Sequence, residues 1–268
     1  MRQAYIATLG LAFAATACAV STQQEVQMGQ QYSGEIAKQL PLVTDARVVG
    51  YVTDLGNSLA ALVDSRGLEW KFHVVNAPEI NAFAVPGGFI YVNRGLIERA
   101  QTMNQLAGVL GHEIGHVTRR HSVEQMRKAQ GANVGVVLLC TLTSTCESQV
   151  GQAAVNVGGS LAFAKFSRDD ERQADAEGVK NLVAAKINPN GIPEMFQILL
   201  EARKSSPGTL DAMFATHPLE EERVANARRM IAAYDSASVR AMRRDDAAFQ
   251  EFKRRVQALP APPPPAKK

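Results

Sequence analysis

The clearest hydrophobic pattern in the chain begins after Thr44. Apolar residues recur there at intervals of three or four positions, at Val48, Val52, Leu55, Leu59 and Leu62. Because an α-helix turns once every 3.6 residues, side chains at this spacing lie along one face. The pattern therefore predicts an amphipathic helix that packs this face against a core.

Two shorter apolar stretches have the periodicity of strands. Trp70, Phe72 and Val74 alternate with more polar neighbours in WKFHVV, which predicts a strand with His73 on its opposite face. We expect this histidine to face solvent or a neighbouring strand rather than to bind a metal. The stretch NAFAVPGGFIYV (residues 81–92) is divided by a Pro-Gly-Gly turn, which predicts two short strands or a strand with a bulge.

Most of the remaining chain has helical periodicity, capping residues and helix-ending residues. Helices are predicted at residues 22–39, near 96–101, at 104–128, twice within 131–166, from Ser167 onward, after 191, at 219–234 and up to about 256. The sequence thus predicts an α+β fold that is mostly helical with a small sheet, in one domain over residues 22–257.

The N-terminus has the pattern of an export signal. A positive residue, Arg2, precedes an apolar run over residues 4–15, which is too short to span a membrane, and the run leads into Ala-Thr-Ala-Cys. We predict that residues 1–17 are a lipoprotein signal and that Cys18 is lipidated. The usual leucine three positions before the cysteine is replaced by alanine, so plain cleavage after Ala17 or Ala19 is the alternative. Lipidation followed by Ala19 predicts a periplasmic protein anchored to the outer membrane.

Composition adds three expectations. The net charge of +3 and the absence of a large basic cluster exclude nucleic acid as an expected partner. Export to an oxidising compartment predicts a disulfide between Cys140 and Cys146, with two small buried apolar side chains as the alternative. The proline-rich residues 258–268 are expected to form a disordered tail.

The strongest chemical motif is HEIGH, in which His112 and His116 bracket a glutamate. Residues four apart share a helix face, so both imidazoles can reach one zinc ion while Glu113 can take a proton from the attacking water. Gly111 and Gly115 each cost about 1 kcal/mol inside a helix. Their presence predicts that another element approaches this helix closely.

A zinc site of this kind takes a third protein ligand. His121 is disfavoured because it lies about 140° around the helix from His116. The metzincin pattern would also place glycine and histidine where the chain has Arg119 and Ser122. We therefore expect His121 to be a bystander on another face of the helix.

A carboxylate from a second helix is the alternative third ligand, and SRDDERQADAEG (residues 167–178) offers several. Asp169 and Asp170 are explained as charges at a helix N-terminus, and Glu177 as a solvated side chain. Glu171 and Asp175 share a helix face, so that one can bind zinc while the other orients a ligating histidine. The residues alone do not rank these two.

Four stretches in series resemble metallopeptidase family 48, the gluzincins that include the HtpX-like and CAAX-prenyl proteases. They are NAFAVPGGFIYV, LGHEIGHVTRRH, FSRDDERQADAEG and ATHPLEEERVANA, in this order, and the resemblance as a whole covers roughly residues 30–235. In layout the chain is similar to the periplasmic members of the BepA and LoiP type. Only a short stretch follows the last motif, so partner recruitment through a tetratricopeptide extension is not expected.

The resemblance implies a zincin-type metallopeptidase domain over residues 22–257 with one Zn²⁺ per chain. It implies that Glu171 is the third ligand beside the two histidines of HEIGH, that Asp175 orients a ligand, and that Glu113 is the catalytic base. It also implies that His217 stabilises the oxyanion, or binds zinc as a fourth ligand in a resting form. Arg223 is expected to support the transition state.

The resemblance also gives meaning to the NAFAVPGG stretch. An edge strand beside the zinc would bind the substrate backbone as an added strand, through Asn81, Ala82, Phe83 and Ala84. The alternative is an ordinary internal hairpin.

Together these features predict a zinc metalloendopeptidase that cleaves unfolded or misassembled proteins of the bacterial cell envelope. The expected partners are such substrates, the membrane through a lipid anchor, and the outer-membrane assembly machinery. The alternative function is that of a non-proteolytic, zinc-bearing periplasmic chaperone or assembly factor.

Overall fold

A computed structural model describes residues 20–128, 165–205, 210–219 and 221–261. Its helices and strands, in chain order, are α1 (Thr22–Gln39), α2 (Ala46–Ala60), β1 (Lys71–Val75), β2 (Ala82–Val85), β3 (Phe89–Asn93), α3 (Arg94–Arg99), α4 (Met103–Thr118), α5 (Arg168–Ala184), α6 (Gly191–Ser205), α7 (Asp211–Thr216), α8 (Glu221–Ala232), α9 (Ser236–Ala241) and α10 (Ala247–Gln257). The predicted α+β class, mostly helical with a small sheet, is confirmed. Among these described residues, no helix combines the length and apolar character that a membrane crossing requires.

Several sequence predictions lie outside the described residues. They are the signal over residues 1–17, lipidation of Cys18, the disulfide between Cys140 and Cys146, the helix pair within 131–166, and most of the tail at 258–268. All of them stay predictions.

The predicted amphipathic helix is α2. Its apolar face is buried through Val48, Val52, Leu55 and Leu59, while Asp45 caps its N-terminus by accepting hydrogen bonds from the backbone of the first turn. The helix ends at Ala60, before the last residue of the predicted stripe. Leu62 therefore lies outside the helix and is 51% exposed.

The sheet has three strands in the order β1-β3-β2. β1 runs parallel to β3 and pairs His73 with Tyr91, so the predicted cross-strand position of this histidine is confirmed. β2 and β3 are antiparallel and are joined by a turn in which Gly87 and Gly88 have φ of 82° and 96°. The two predicted short strands are thus confirmed, and β2 is an edge strand that packs against α4.

α4 and α5 pack against each other more closely than ordinary side chains allow. A Cβ atom added to Gly115 would lie 2.9 Å from the carbonyl oxygen of Ala174, and one added to Gly111 would lie 2.9 Å from a methyl group of Leu182. The close approach predicted from these glycines is confirmed. It brings the polar face of α5 to the histidines of α4.

The helix predicted over residues 104–128 is interrupted. α4 ends at Thr118, Arg120 adopts a left-handed backbone conformation with φ of 60°, and residues 121–128 are helical again. This conformation is costly for a residue with a side chain. The interruption turns the chain, and it changes what His121 can reach.

Candidate metal centre

Four buried side chains converge beside α4. His112 and His116 come from α4, Glu171 from the first turn of α5, and His217 from the C-terminal end of α7. One nitrogen or oxygen atom of each residue lies within 4.8 Å of the corresponding atoms of the other three. The structure therefore brings together the histidine pair, the carboxylate and the later histidine that the motifs predict.

The distances within this group are short. Nε2 of His116 lies 3.0 Å from Nε2 of His112 and 3.4 Å from Oε1 of Glu171, and Nδ1 of His217 lies 3.0 Å from the same oxygen. Nε2 of His112 lies 3.5 Å from the other oxygen of Glu171. Three ring nitrogens and two carboxylate oxygens thus surround one point at which a metal ion could be held.

Asp175 and Arg223 form polar contacts with members of this group. Oδ1 of Asp175 lies 2.9 Å from Nδ1 of His112. Nε and Nη2 of Arg223 donate to the two oxygens of Asp175 at 2.9 and 2.7 Å, and its Nη1 lies 2.5 Å from Oε2 of Glu171. The guanidinium also lies over the ring of Phe196, at 4.6 Å from its centroid. Arg223 therefore links the two carboxylates that α5 contributes to the site.

Electrostatics favour the protonation states that bind metals. Burial of His116 lowers its pKa well below the usual value, so its ring is neutral. Burial acts to raise the pKa of Glu171, but hydrogen bonds from His116 and His217 outweigh it and hold the pKa well below the usual value. For Asp175 the burial effect is likewise outweighed, here by Arg223 and His112, and the pKa is lowered.

These states determine the tautomer of His112 and test whether the site fits a metal. Because ionised Asp175 can only accept a hydrogen bond, Nδ1 of His112 carries the proton and Nε2 presents its lone pair to the group. Two imidazole nitrogens and the carboxylate of Glu171 are donors that zinc prefers, and three such ligands leave a fourth position open. The residues fit a zinc ion.

Glu113 points to the same centre without belonging to the group. It is 1% exposed, its Oε1 lies 3.8 Å from Nε2 of His217, and its Oε2 has no hydrogen-bond partner among the described residues. The carboxylate of Glu113 thus has an oxygen available for a further polar group.

The same carboxylate affects the protonation of His217. Burial acts to lower the pKa of His217, but Glu113 and Glu171 outweigh this effect and raise the pKa.

A small, narrow cleft adjoins Glu113 and His217. Besides these two residues, and besides His112 and Arg223, the described residues that line the cleft are apolar: Val109, Phe196, Leu199, Met213, Phe214 and Leu219. Sequence reasoning did not identify these residues, because each has the ordinary spacing of a core position. The cleft therefore places an apolar surface directly beside the metal group.

The proposed substrate strand and His121 have different surroundings from those expected. In β2 Ala82, Phe83 and Ala84 are buried, and Asn81 before it is half-buried, so their side chains are not exposed to a substrate. His121 does not belong to the group of four. The expectation that it lies on another face was nevertheless wrong, because the break at Arg120 brings its Nδ1 to 3.0 Å from Nδ1 of His116.

Comparison with known proteins agrees with this geometry. The model of peptidase family M48 matches residues 47–231. The beta-barrel assembly-enhancing proteases of Yersinia pestis and Escherichia coli K12 are 33% and 32% identical over 78% of this chain. The chain spans 44% of the length of each of these two relatives. The metalloprotease LoiP of Escherichia coli K12 is 31% identical over 68% of this chain and 70% of its own length. The chain therefore belongs to peptidase family M48.

Proposed function

We propose that this protein is a zinc-dependent metalloendopeptidase that binds one Zn²⁺ through His112, His116 and Glu171. The observation that carries the proposal is the convergence of these three donors beside Glu113, with Asp175 fixing the tautomer of the first histidine. Names of relatives as proteases support the same conclusion.

Bound zinc supplies Lewis-acid chemistry, which activates water and polarises a peptide carbonyl. Glu113 accepts the proton of the attacking water and passes it to the nitrogen of the leaving amine. Its oxygen without a hydrogen-bond partner is suited to this role, because nothing in the described part of the chain competes for it. His217 lies across from Glu113 and donates a hydrogen bond from Nε2 to the oxyanion that develops on the carbonyl oxygen.

His217 has a second role in the same proposal. Its Nδ1 lies 3.0 Å from Glu171 and 3.4 Å from Nε2 of His112, so it can also bind the metal as a fourth ligand. A fourth protein ligand would occupy the position that water needs. We propose that this arrangement is a resting form, and that the ring turns away from the metal when a substrate enters.

The substrates that we propose are unfolded or misassembled proteins of the bacterial envelope. β2 lies at the edge of the sheet beside α4, which is the position where an extended substrate would be added as a further strand, and such pairing selects weakly by sequence. The relatives named beta-barrel assembly-enhancing proteases support an envelope location, which would follow from export and lipidation of Cys18. Arg223 acts in this proposal by holding Asp175 and Glu171 in place.

Incubation with unfolded casein, with and without a zinc chelator, tests the activity. We expect wild-type protein to cleave casein and the chelator to stop cleavage. Glu113→Gln should keep one zinc per chain and lose about 10²–10⁴-fold in rate, whereas Glu35→Gln, at an exposed site on α1, should change neither. Cleavage by Glu113→Gln at the wild-type rate would refute the mechanism. Zinc binding without any cleavage by wild type would favour the chaperone alternative.

A further inference from the structure

The motifs described above give no role to His121, yet its ring contacts that of His116. The T-shaped rings of His116 and His121 meet at an interplanar angle of 77°, with their Nδ1 atoms 3.0 Å apart. His121 is 5% exposed, and it lies on the side of His116 that faces away from the metal group. One of the two Nδ1 atoms must therefore carry a proton that the other accepts.

The direction of this hydrogen bond follows from the metal group. Nε2 of His116 faces His112 and Glu171, so it must present a lone pair when a metal is bound. The proton of the neutral His116 ring is then on Nδ1, which donates to Nδ1 of His121. The proton of His121 consequently lies on Nε2.

The surroundings of His121 suit that tautomer. Its Nε2 is buried and has no hydrogen-bond partner within the described ranges, and it lies 3.9 Å from Oδ1 of Asp170. A carboxylate at this distance favours an N–H over a lone pair on the facing nitrogen. The other oxygen of Asp170 is already held by the backbone and hydroxyl of Ser167, which fixes the carboxylate in place.

The interruption of the helix is what makes the contact. A continuous helix would place His121 about 140° around the axis from His116. The left-handed conformation of Arg120 is held by its side chain, whose Nε donates to Glu25 at 2.8 Å and whose Nη2 donates to the carbonyl of Val20 at 2.5 Å. The energetically costly backbone conformation of Arg120 thus places a hydrogen-bond acceptor, His121, next to the proposed metal ligand His116.

We propose that His121 is a positioning residue, which accepts the Nδ1 proton of His116 and thereby fixes the tautomer and the orientation of that ring for metal binding. The inference rests on the proposed role of His116 as a zinc ligand. In this arrangement both histidines of HEIGH have an acceptor behind them. Asp175 serves His112 and His121 serves His116. Outer partners of this kind change metal affinity by about 10–100-fold.

The test compares two side chains of nearly equal shape. His121→Asn keeps an acceptor near the position of Nδ1, whereas His121→Leu removes it. Zinc affinity, measured by competition with a chromophoric chelator, should fall about 10–100-fold in His121→Leu and recover most of that loss in His121→Asn. His73→Leu on β1 is the matched control, since its ring lies on Tyr91 away from the metal group, and it should leave zinc affinity unchanged.

A second measurement observes the hydrogen bond directly. In ¹⁵N–¹H spectra of the zinc-loaded protein, the Nδ1–H proton of His116 should lie further downfield in wild type and His121→Asn than in His121→Leu, because only the first two offer it an acceptor. Wild-type zinc affinity or an unchanged Nδ1–H shift in a folded His121→Leu would overturn the inference. Failure of wild type itself to bind zinc would refute the proposed function, which is a separate result.

Discussion

The carboxylate of Glu25 accepts a hydrogen bond of 2.8 Å from Nε of Arg120, although 95 residues separate the two in sequence. The same oxygen accepts from Arg66 at 2.7 Å, and the other oxygen accepts from the backbone of Gly87. Glu25 is 1% exposed. One buried carboxylate thus joins α1, the turn before β3 and the interruption after α4.

Loss of the Glu25 carboxylate should destabilise the protein more than loss of an exposed carboxylate on the same helix. Glu25→Ala leaves two arginines without their partner, and we expect the free energy of unfolding to fall by about 2–3 kcal/mol. Urea denaturation measures the change. Glu35→Ala, which removes an exposed ion pair with Lys38 on the same helix, should cost less than about 1 kcal/mol. Equal effects of the two substitutions would contradict the role of Glu25.

Two glycines should change the stability of the protein in opposite directions when each is replaced by alanine. Gly115→Ala would place a methyl group 2.9 Å from the carbonyl oxygen of Ala174, so α4 and α5 must separate. We expect a loss of about 1–3 kcal/mol in stability, together with weaker zinc binding. Gly50→Ala on α2 meets no atom within 4 Å and should stabilise by about 0.5–1 kcal/mol. Thermal unfolding of the zinc-free variants checks both, and a stabilised Gly115→Ala would refute the close packing.

Arg223→Lys should not be a conservative change. The guanidinium holds both oxygens of Asp175, contacts Glu171 and lies over Phe196, and a single ammonium group cannot make all of these contacts. We expect zinc affinity to fall about 10–100-fold. Arg244→Lys, where one exposed pair with Glu194 is affected, should keep wild-type affinity. Isothermal titration with zinc measures both variants, and equal affinities would show that the paired contacts are dispensable.

The apolar cleft should leave a signature in the peptides that are released. Because it adjoins Glu113 and His217, we expect apolar residues to be enriched at one position next to the cleaved bond. Leu199→Phe narrows the cleft and should shift that position toward alanine and glycine. Mass spectrometry of casein digests measures the shift. Leu200→Phe, on the same helix but outside the cleft lining, is the control, and an unshifted profile in Leu199→Phe would exclude the cleft as the selecting site.

The sequence was sufficient wherever a feature depends on neighbouring residues. Spacing alone located α2 and the strand at residues 71–75, and the HEIGH string located the histidine pair. The two glycines of α4 correctly indicated a close partner helix, because their cost to a helix needs a tertiary explanation. Ranking Glu171 against Asp175 needed the family resemblance, since both have the same spacing and chemistry.

Other features depend on contacts between distant parts of the chain, and the sequence did not show them. Arg120 has no residue-type preference for a left-handed conformation, and only the distant Glu25 and Val20 explain why it adopts one. The contact of His121 with His116 follows from that interruption, so it was missed as well. The cleft was missed because Leu199 and Met213 have no pattern that distinguishes a cleft wall from a core.

The metal group is dispersed along the chain, and this has a consequence for the timing of synthesis. His217 lies 105 residues after its neighbour His112, and Asp175 lies 63 residues after it. A nascent chain that has been synthesised only as far as HEIGH therefore contains just two of the donors. It still lacks the carboxylates and the later histidine. A protease assembled in this way can cleave peptide bonds only after its tertiary structure is complete. An unfinished copy therefore cannot cleave the chains around it.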